Sequence, residues 1–451
     1  MMLPPKTKID IQHVHYTVTK QALEELDLTQ TKNDKSADII WWDGFIQKDQ
    51  FLKVLPHQRI NKFPSMDVLC YKSSTFRFFN NMRTLYPKVY SFYPLTFILP
   101  AQFQDFQKEY LRHATKSNNP ITWIFKPRAG CSGNGIRLVQ NSFDVADSSY
   151  AGVIQRYVSP YLIDGYKFDF RLYIFVPTIS PFTVYIYREG LARFCTNKYE
   201  PPSQENLGDM FCHLSNTSIN VKNKNSRNSI IQFASRILTR IRKMDPRGRT
   251  LWAKIKYVVM LSMVAQYAQI IERIKMQENE CKQHQINKQP NEENNENKYI
   301  NNNNEINGKE PLPFEQRFFH ILGIDIMVNE DCEPVVLELN DRPSMMVTFG
   351  MEQKLKTELN LEAMRMVSLD GKPPGPDVPT GKWEKIMPVD ESTQLGIGLK
   401  RIMDRSLQTI KNESVTHTVL PKESLIKKSV PTSSRISPQP SEKSTLPSLY
   451  K

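Results

Sequence analysis

Two carboxylates and an amide are spaced along the sequence in a way that could bind a divalent cation. If Val328 pairs with Val335 across the turn between them, Asp325 lies directly opposite Glu338. Asn340 then shares a face with Glu338, because side chains alternate along a strand. Hard oxygen ligands of this kind suit Mg²⁺. The alternative is a structural carboxylate pair, although two unpaired acids on an apolar hairpin should repel each other.

A second segment alternates charged and aromatic residues. Lys167, Asp169 and Arg171 alternate with Phe168 and Phe170, so on a strand the three charges would share one face. The apolar run that follows indicates burial, and burying charges without partners is costly. The pattern therefore favours a charged ligand, with a solvated sheet face as the alternative.

A glycine-rich loop follows Lys126. Gly130, Gly133 and Gly135 would let backbone N–H groups approach an anion, and Lys126 could hold a phosphate by its charge. No helix is predicted after the loop, so it matches neither the Walker pattern nor the dinucleotide fingerprint. The segment resembles a flap over a nucleotide, with an ordinary hairpin turn as the alternative.

The elements around these residues alternate between strand and helix patterns, which predicts an α/β or α+β fold. Apolar residues from Leu251 to Met276 recur at helical spacing and predict a core-packed helix, with a partner-binding helix as the alternative. Short runs rich in β-branched and aromatic residues predict strands. These runs are Ile121–Phe125, Ile136–Val139, Gly152–Val158, Phe170–Val176, Thr183–Tyr187, Gly323–Val328 and Pro334–Leu339.

Composition narrows the class of protein. The chain has 451 residues with 60 Lys and Arg against 47 Asp and Glu, a net charge of +13 that indicates an acidic partner. Its apolar runs are far shorter than the roughly 20 residues that a bilayer requires, and its start resembles no secretory signal, so no membrane is expected. The dispersed cysteines predict reduced thiols in the cytoplasm. The basic residues are scattered, so no nucleic acid is expected.

Four regions are predicted from these patterns. Residues 1–115 form an N-terminal subdomain, and residues 116–200 form a central subdomain that carries the flap. Residues 201–370 form a C-terminal subdomain with a disordered Asn-rich insertion at 281–311. Residues 371–451 form a largely disordered tail rich in Pro, Ser and Lys.

The order of flap lysine, charged strand and Asp…Glu-x-Asn hairpin resembles the ATP-grasp enzymes and, more narrowly, the tubulin tyrosine ligase-like family. The resemblance extends from about Trp41 to Val367, apart from the Asn-rich insertion, and around Arg193 it is most similar to the glutamylating branch. It implies an ATP-grasp fold that holds the nucleotide between two sheet-containing subdomains. The matching stretches are Gln58–Pro64, Tyr93–Pro100, Lys126–Pro127, Asp164–Arg171, Gly190–Phe194 and His213–Asn220.

The resemblance implies a role for each candidate residue. Arg171 and Asn216 would act at the transferred phosphate, and a basic residue between Arg236 and Arg242 could reach the amino-acid pocket. Residues expected to bind ATP are Lys126, Ser132, Gly133, Gln155, Arg156, Tyr157, Val158, Lys167, Phe168, Asp169, Ser215 and Asn216. Residues expected to ligate Mg²⁺ are Asp325, Glu338 and Asn340, and those expected to bind the amino acid are Arg193, Thr217, Ser218 and Lys356.

The implied activity is the ATP- and Mg²⁺-dependent addition of free L-glutamate to glutamate side chains in the acidic tails of α- or β-tubulin. The implied location is the cytoplasm and cytoskeleton, with the cilium or basal body as a further site. Thr217 and Val221 replace the family's usual aromatic and basic residues, which keeps a glycine ligase open as an alternative. A catalytically silent microtubule-binding protein is the other alternative. Arg342 stands where relatives more often have a small residue, and it could meet an acidic substrate.

Overall fold

The structure is a computed structural model that describes residues 3–32, 35–114, 121–128, 133–147, 149–224, 230–287 and 309–418. Residues 1–410 belong to one compact unit and residues 411–451 to a second. None of the described helices has both the length and the apolar character that crossing a membrane requires.

A small parallel sheet opens the chain. Its strands lie in the order β2-β1-β3-β4, and apolar residues such as Ile9 and Ile39 are fully buried in a core that they share with Val18 and Leu23 of the helix that follows β1. The strands are β1 (Lys8–His13), β2 (Thr29–Thr31), β3 (Ile39–Trp42) and β4 (Arg59–Ile60). The helices that accompany them are α1 (Thr17–Glu24), α2 (Lys48–Phe51), α3 (Met66–Leu69) and α4 (Lys72–Leu85).

A second sheet is antiparallel, with the order β5-β8-β6-β7. The helix α5 covers it by packing Phe106 edge-on against Trp123, with 5.0 Å between the ring centroids. Lys126 lies at the end of the central strand β6 and therefore reaches the border of this sheet. The elements are β5 (Thr96–Leu99), α5 (Phe103–Ala114), β6 (Trp123–Pro127), β7 (Arg137–Val139) and β8 (Gly152–Arg156).

The third and largest sheet is built around the long strand β10. Its main path is β13-β12-β10-β11-β16, and β14 pairs with β10 on one side and with β15 on the other. The strands are β9 (Leu162–Ile163), β10 (Tyr166–Ile179), β11 (Phe182–Tyr187), β12 (Leu191–Phe194), β13 (Ile231–Phe233), β14 (His320–Val328), β15 (Pro334–Asn340) and β16 (Trp383–Met387). The later helices are α6 (Met210–His213), α7 (Thr217–Asn220), α8 (Ala234–Met244), α9 (Leu251–Asn287), α10 (Gly350–Arg365) and α11 (Gln394–Thr418).

The two faces of this sheet have different roles. Phe168, Phe170 and Leu172 of β10 share one core with apolar residues of α8 and α9. Tyr173 and Phe175 share the other core with apolar residues of α10. Because side chains alternate along β10, the charged residues at 167, 169 and 171 lie on the second face, as the sequence pattern predicts.

The described residues confirm a mixed helix and sheet fold and every predicted strand, with ends that shift by a few residues. Two predicted boundaries are wrong. The helix α9 continues through Asn287, so the predicted disordered insertion cannot begin at 281, and residues 288–308 lie outside the described residues. Within the predicted disordered tail, β16 pairs with β11 and α11 follows it, because the apolar residue Trp383 packs against Phe175 and Tyr187. Residues 419–451 lie outside the described residues.

Candidate active site

The hairpin of β14 and β15 carries the predicted metal ligands. Asp325 pairs with Glu338, which confirms that the two carboxylates face each other. The predicted pairing of Val328 with Val335 is wrong, because Val328 pairs with Pro334. The register shifts by one residue between Asp325 and Ile326, so Leu337 is left as the extra residue of a β-bulge.

Charged residues on neighbouring strands are paired with each other. Arg171 of β10 lies opposite Asp325 of β14, and its guanidinium binds both carboxylate oxygens, at 2.9 Å from Nη2 to Oδ2. Arg193 of β12 lies opposite Asp169 and donates to it at 2.6 and 2.8 Å. Arg193 also reaches Asp325 at 2.8 Å, and Ser215 donates to Asp169 at 2.6 Å. Protein groups therefore neutralise two of the three charges that the sequence pattern assigned to a charged ligand.

This network keeps the Asp325 carboxylate ionised despite its burial. Burial by itself raises the pKa of Asp325, but the positive charges of Arg171 and Arg193 outweigh it and hold the pKa well below its usual range. Glu338 has no such direct partner among the described residues. Burial and the charge of Asp325 raise the pKa of Glu338 above its usual value.

Two lysines, Lys167 buried and Lys126 partly buried, hydrogen-bond only to neutral groups among the described residues. Lys126 donates to the amide oxygen of Gln155 at 2.7 Å, and Lys167 donates to the hydroxyl of Tyr157 at 3.0 Å. Burial lowers the pKa of Lys126 to about 8 and also lowers the pKa of Lys167. The charges of Glu338 and Asp169 offset the desolvation of Lys126 and Lys167 only in part, because neither ammonium group hydrogen-bonds to a carboxylate among the described residues. The two lysines thus provide positive charge that an anionic ligand could neutralise.

Both lysines line a cleft with about 680 Å³ of empty space, part of it open to solvent, which we call the first cavity. Apolar side chains of Ile124, Ile136, Leu214, Met327 and Leu337 form part of its wall, beside the two ammonium groups. Such a mixture suits a flat apolar ring joined to an anionic group. The predicted site residues that line it are Lys126, Gln155, Arg156, Tyr157, Val158, Lys167, Asp169, Arg193, Ser215, Asn216, Asp325 and Glu338.

A second cavity, with about 1540 Å³ of empty space that is partly open to solvent, adjoins the first. The two share Ile136, Arg193, Asn216 and Glu338 as lining residues, so a group bound in one can meet a group bound in the other. The predicted residues that line the second cavity are Gly133, Arg171, Arg193, Asn216, Thr217, Ser218, Glu338 and Asn340.

Some predicted residues lie elsewhere. Phe168 lines neither cavity, because its ring lies in the core with centroids 5.4 Å from Phe194. Lys356 is buried behind the second cavity, where it donates to the Met346 carbonyl at 2.6 Å and to Glu352 at 2.8 Å. Ser132 lies outside the described residues.

The basic residues between Arg236 and Arg242 do not line these two cavities either. Their helix α8 packs its apolar side on the opposite face of the large sheet, and Arg240 pairs with Asp164 on the surface. The position of α8 therefore does not support a role for these basic residues in amino-acid binding.

Sequence reasoning missed the position of His213, whereas it had singled out Arg342 as a residue that could meet an acidic substrate. His213 lines the first cavity and lies 3.3 Å from the Tyr157 hydroxyl, and burial lowers its pKa to about 4, so it is neutral. Arg342 lines the second cavity. The signal in the sequence was its position two residues after Asn340, because a residue just beyond the hairpin that carries the proposed metal ligands must lie near them.

The hairpin residues fit a magnesium ion. No group of three or more His, Cys, Asp and Glu side chains is placed to hold a metal in the described part of the chain. Mg²⁺, however, needs only one or two carboxylates when phosphate and water complete its shell. Glu338 supplies a partly buried carboxylate, and the side chain of Asn340 makes no hydrogen bond to the other described residues, which leaves its amide oxygen available to a cation.

Comparisons with known proteins agree on one family. The model of the tubulin-tyrosine ligase family matches residues 50–373. A probable beta-tubulin polyglutamylase of Tetrahymena thermophila is 32% identical over 341 residues, which cover 73% of this chain and 26% of that protein. Tubulin polyglutamylase TTLL7 of Xenopus tropicalis is 29% identical, with coverage of 78% and 36%. Tubulin polyglutamylase ttll6 of Danio rerio is 28% identical, with coverage of 81% and 43%. The chain thus spans well under half the length of these relatives.

Proposed function

Because the chain belongs to the tubulin-tyrosine ligase family, we propose that it is an ATP- and Mg²⁺-dependent ligase that adds glutamate to glutamate side chains in the C-terminal tails of tubulin. The observation that carries the proposal is the pair of lysines, Lys126 and Lys167, whose ammonium groups hydrogen-bond only to neutral described groups in a partly apolar cavity that Glu338 also lines. The names of the relatives support glutamate as the amino acid and tubulin as the acceptor. Such an enzyme would work on the cytoskeleton, with the cilium or basal body as a further location.

In this proposal the first cavity binds ATP. The apolar side chains receive the adenine, and Lys126 and Lys167 bind the phosphates, which compensates the desolvation of both ammonium groups. Gln155 and Tyr157 hold the two lysines in place through their side-chain oxygens. The neutral partners leave the lysine charge available for phosphate.

Glu338, Asn340 and Asp325 would hold Mg²⁺, which supplies charge stabilisation at the phosphate oxygens when it is bound. Arg171 and Arg193 keep Asp325 ionised and fix its orientation. Asn216 and Arg193, which line both cavities, lie where the nucleotide and the acceptor must meet.

The reaction that this arrangement supports has two steps. The γ-phosphoryl group of ATP moves to the side-chain carboxylate of an acceptor glutamate, which gives an acylphosphate and ADP. The amine of free glutamate then attacks the acyl carbon, phosphate leaves, and an isopeptide bond forms after the amine loses a proton. Besides pairing with Asp325 and Asp169, Arg171 and Arg193 would place positive charge near the acyl oxygen, on which negative charge develops as the amine attacks. Thr217 and Ser218 line the second cavity where the free amino acid would bind.

The test is glutamate incorporation by the Glu338→Gln protein. The purified full chain is supplied with ATP, Mg²⁺, microtubules and labelled glutamate or glycine, and the tubulin tails are analysed by mass spectrometry. We expect glutamate incorporation by the unchanged protein and a loss of about a hundredfold or more for Glu338→Gln, the size seen when a group that stabilises charge in the transition state is removed.

The matched control is Glu330→Gln, which changes an exposed carboxylate at the turn of the same hairpin. It should leave incorporation unchanged. Glu338→Gln removes one of two like charges from a buried site, so its unfolding temperature should equal or exceed that of the unchanged protein. Robust glutamate transfer by Glu338→Gln would contradict the assigned role. Incorporation of glycine in place of glutamate would identify the alternative ligase, and no incorporation would indicate the silent binding protein.

A further inference from the structure

We propose that Arg342 forms a carboxylate-binding subsite for the acceptor chain, at the open side of the second cavity. The inference rests on the proposed function and names a contact that it does not include. The ligand is a second acidic side chain of the acceptor, next to the glutamate that reacts. The subsite would select acceptors in which acidic residues are clustered.

Arg342 differs from the other arginines that line the second cavity. Arg171 and Arg193 are committed to the buried carboxylates Asp325 and Asp169. Arg342 instead uses only Nε, which donates to Asp341 at 2.7 Å. Among the described residues, its two terminal nitrogens make no hydrogen bond. A guanidinium with this edge available can bind a carboxylate through two parallel hydrogen bonds.

The side chain of Arg342 is held in place before any ligand arrives. The guanidinium lies over the ring of Phe45, 5.3 Å from its centroid, while Asp341 holds Nε. The Asp341 carbonyl is in turn bound by His320 at 2.7 Å, and His320 also accepts a hydrogen bond from the backbone of Phe63 at 3.1 Å. An arginine that is already ordered loses less entropy when it binds its ligand.

The contacts that hold Arg342 give a structural role to a family-matching stretch of sequence that contributes no residue to the proposed catalytic site. The stretch Gln58–Pro64 includes Phe63, whose backbone N–H donates to His320, and Lys62, whose buried ammonium lies close enough to Asp341 for the charge of that carboxylate to act on it. Arg59 of the same stretch is fully buried and donates to four backbone carbonyls, so its role is structural. The segment therefore supports the loop that presents Arg342.

The position of Arg342 favours the acceptor over the free amino acid. Its side chain is 39% exposed, and its neighbours Phe45 and Met346 are 50% and 63% exposed. An extended protein segment can pass along such an open edge. The free amino acid must instead reach the junction of the two cavities, where Arg193 and Asn216 lie. A carboxylate bound by Arg342 would thus belong to the larger substrate.

The experiment combines changes in the enzyme with changes in the acceptor. One synthetic peptide carries a single acceptor glutamate between glutamates, and a second carries the same acceptor between glutamines. The full chain and its Arg342→Gln and Arg342→Lys variants are assayed on both peptides. Lys354→Gln is the charge-matched control, because Lys354 is an exposed lysine outside both cavities.

We expect Arg342→Gln to raise KM for the Glu-flanked peptide about tenfold, the effect of losing one charge-assisted contact. On the Gln-flanked peptide the same substitution should have no effect, and KM for free glutamate and ATP should stay within about twofold. Arg342→Lys should recover part of the loss, since it keeps the charge and lacks the fork. Lys354→Gln should behave as the unchanged chain does.

An equal loss on both peptides would overturn the inference, because the arginine would then act through the structure of the loop. A rise in KM for free glutamate would overturn it in favour of amino-acid binding. If the unchanged chain modifies neither peptide, the proposed function fails, and fluorescence anisotropy with the labelled Glu-flanked peptide still decides the subsite. In that case weaker binding by Arg342→Gln, but not by Lys354→Gln, would support the subsite, and equal binding would overturn it.

Discussion

Lys167 carries a buried positive charge beside a neutral hydroxyl. The Tyr157 hydroxyl accepts its hydrogen bond at 3.0 Å, and the ammonium also lies 4.4 Å from the centroid of that ring. If Lys167 binds a phosphate of ATP, Tyr157→Phe should raise KM for ATP about threefold to tenfold by releasing the ammonium from its position. The turnover number should change less, and steady-state kinetics with varied ATP measure both.

Tyr90→Phe is the control for this prediction. The Tyr90 hydroxyl is buried and donates to the Leu261 carbonyl at 3.0 Å, outside both cavities. Its loss should cost about 1 kcal/mol of stability while KM for ATP stays the same. If both tyrosine variants raise KM for ATP equally, the effect comes from general destabilisation and not from the position of Lys167.

At the scale of residues, the sequence predicted which charges share a face but not their partners. The alternation around Asp169 and Arg171 indicated a strand with one charged side, which the structure confirms. Arg193 is 24 residues from its partner Asp169 in the chain, and Asp325 is 154 residues from its partner Arg171. Only the pairing of β10 with β12 and β14 brings them opposite each other, and a single sequence carries no direct signal of strand order.

At the scale of elements, Gly190 allows β12 to approach β10. A Cβ atom at this position would lie 2.5 Å from the Arg171 carbonyl oxygen and 2.8 Å from Leu172. Because the first of these contacts is with backbone, the strand itself would have to move. We expect Gly190→Ala to lower the free energy of unfolding by about 1–3 kcal/mol and to reduce turnover, since Arg171 is the residue displaced.

Gly208→Ala is the matched substitution for this test, because nothing lies within 4 Å of the Cβ that it would add. Urea unfolding of both variants measures stability, and the glutamate assay measures turnover. Gly208→Ala should resemble the unchanged protein in both. A Gly190→Ala protein with unchanged stability and turnover would show that the sheet tolerates the added atom.

The hairpin of β14 and β15 shows what strand patterns can and cannot predict. The sequence placed Asp325 opposite Glu338 through an assumed pairing of Val328 with Val335, and the two carboxylates do lie opposite each other although Val328 pairs with Pro334. The bulge at Leu337 was not predictable, since it shifts the register by one residue on the turn side only. Leu337 lines the first cavity, so the bulge contributes directly to the shape of the candidate site.

The strand β16 shows a limit of predicting disorder from amino-acid composition. Proline-rich composition predicted disorder from Gly371, yet Trp383 is only 2% exposed. Its ring packs 5.5 Å from Phe175 and 4.8 Å from Tyr187, measured between centroids. Composition averages over a segment, whereas a single large apolar residue can anchor a short strand to a sheet edge. A tryptophan within a polar segment is the signal that would have improved this boundary.

At the scale of the whole molecule, the net charge of +13 predicts a substrate-capture effect that depends on salt. Between 50 and 200 mM salt the screening length falls from about 14 to about 7 Å, so attraction between the enzyme and acidic tubulin tails should weaken. We expect KM for microtubules to rise severalfold over this range. KM for free glutamate should change less, because Arg193 of the proposed amino-acid site is buried and paired.

A chain shortened to end at Thr418 distinguishes two possible sources of this salt dependence, the charge of the whole molecule and the charge of residues 419–451. Residues 419–451 contain six Lys and Arg against two Asp and Glu, so most of the excess positive charge stays in the shortened chain. If long-range attraction by the whole molecule dominates, the shortened chain should keep most of the salt dependence. If it loses that dependence and its KM for microtubules rises to the high-salt value, capture depends on the tail. A KM for microtubules that is constant across the salt series, in either chain, would remove electrostatic capture as the explanation of the net charge.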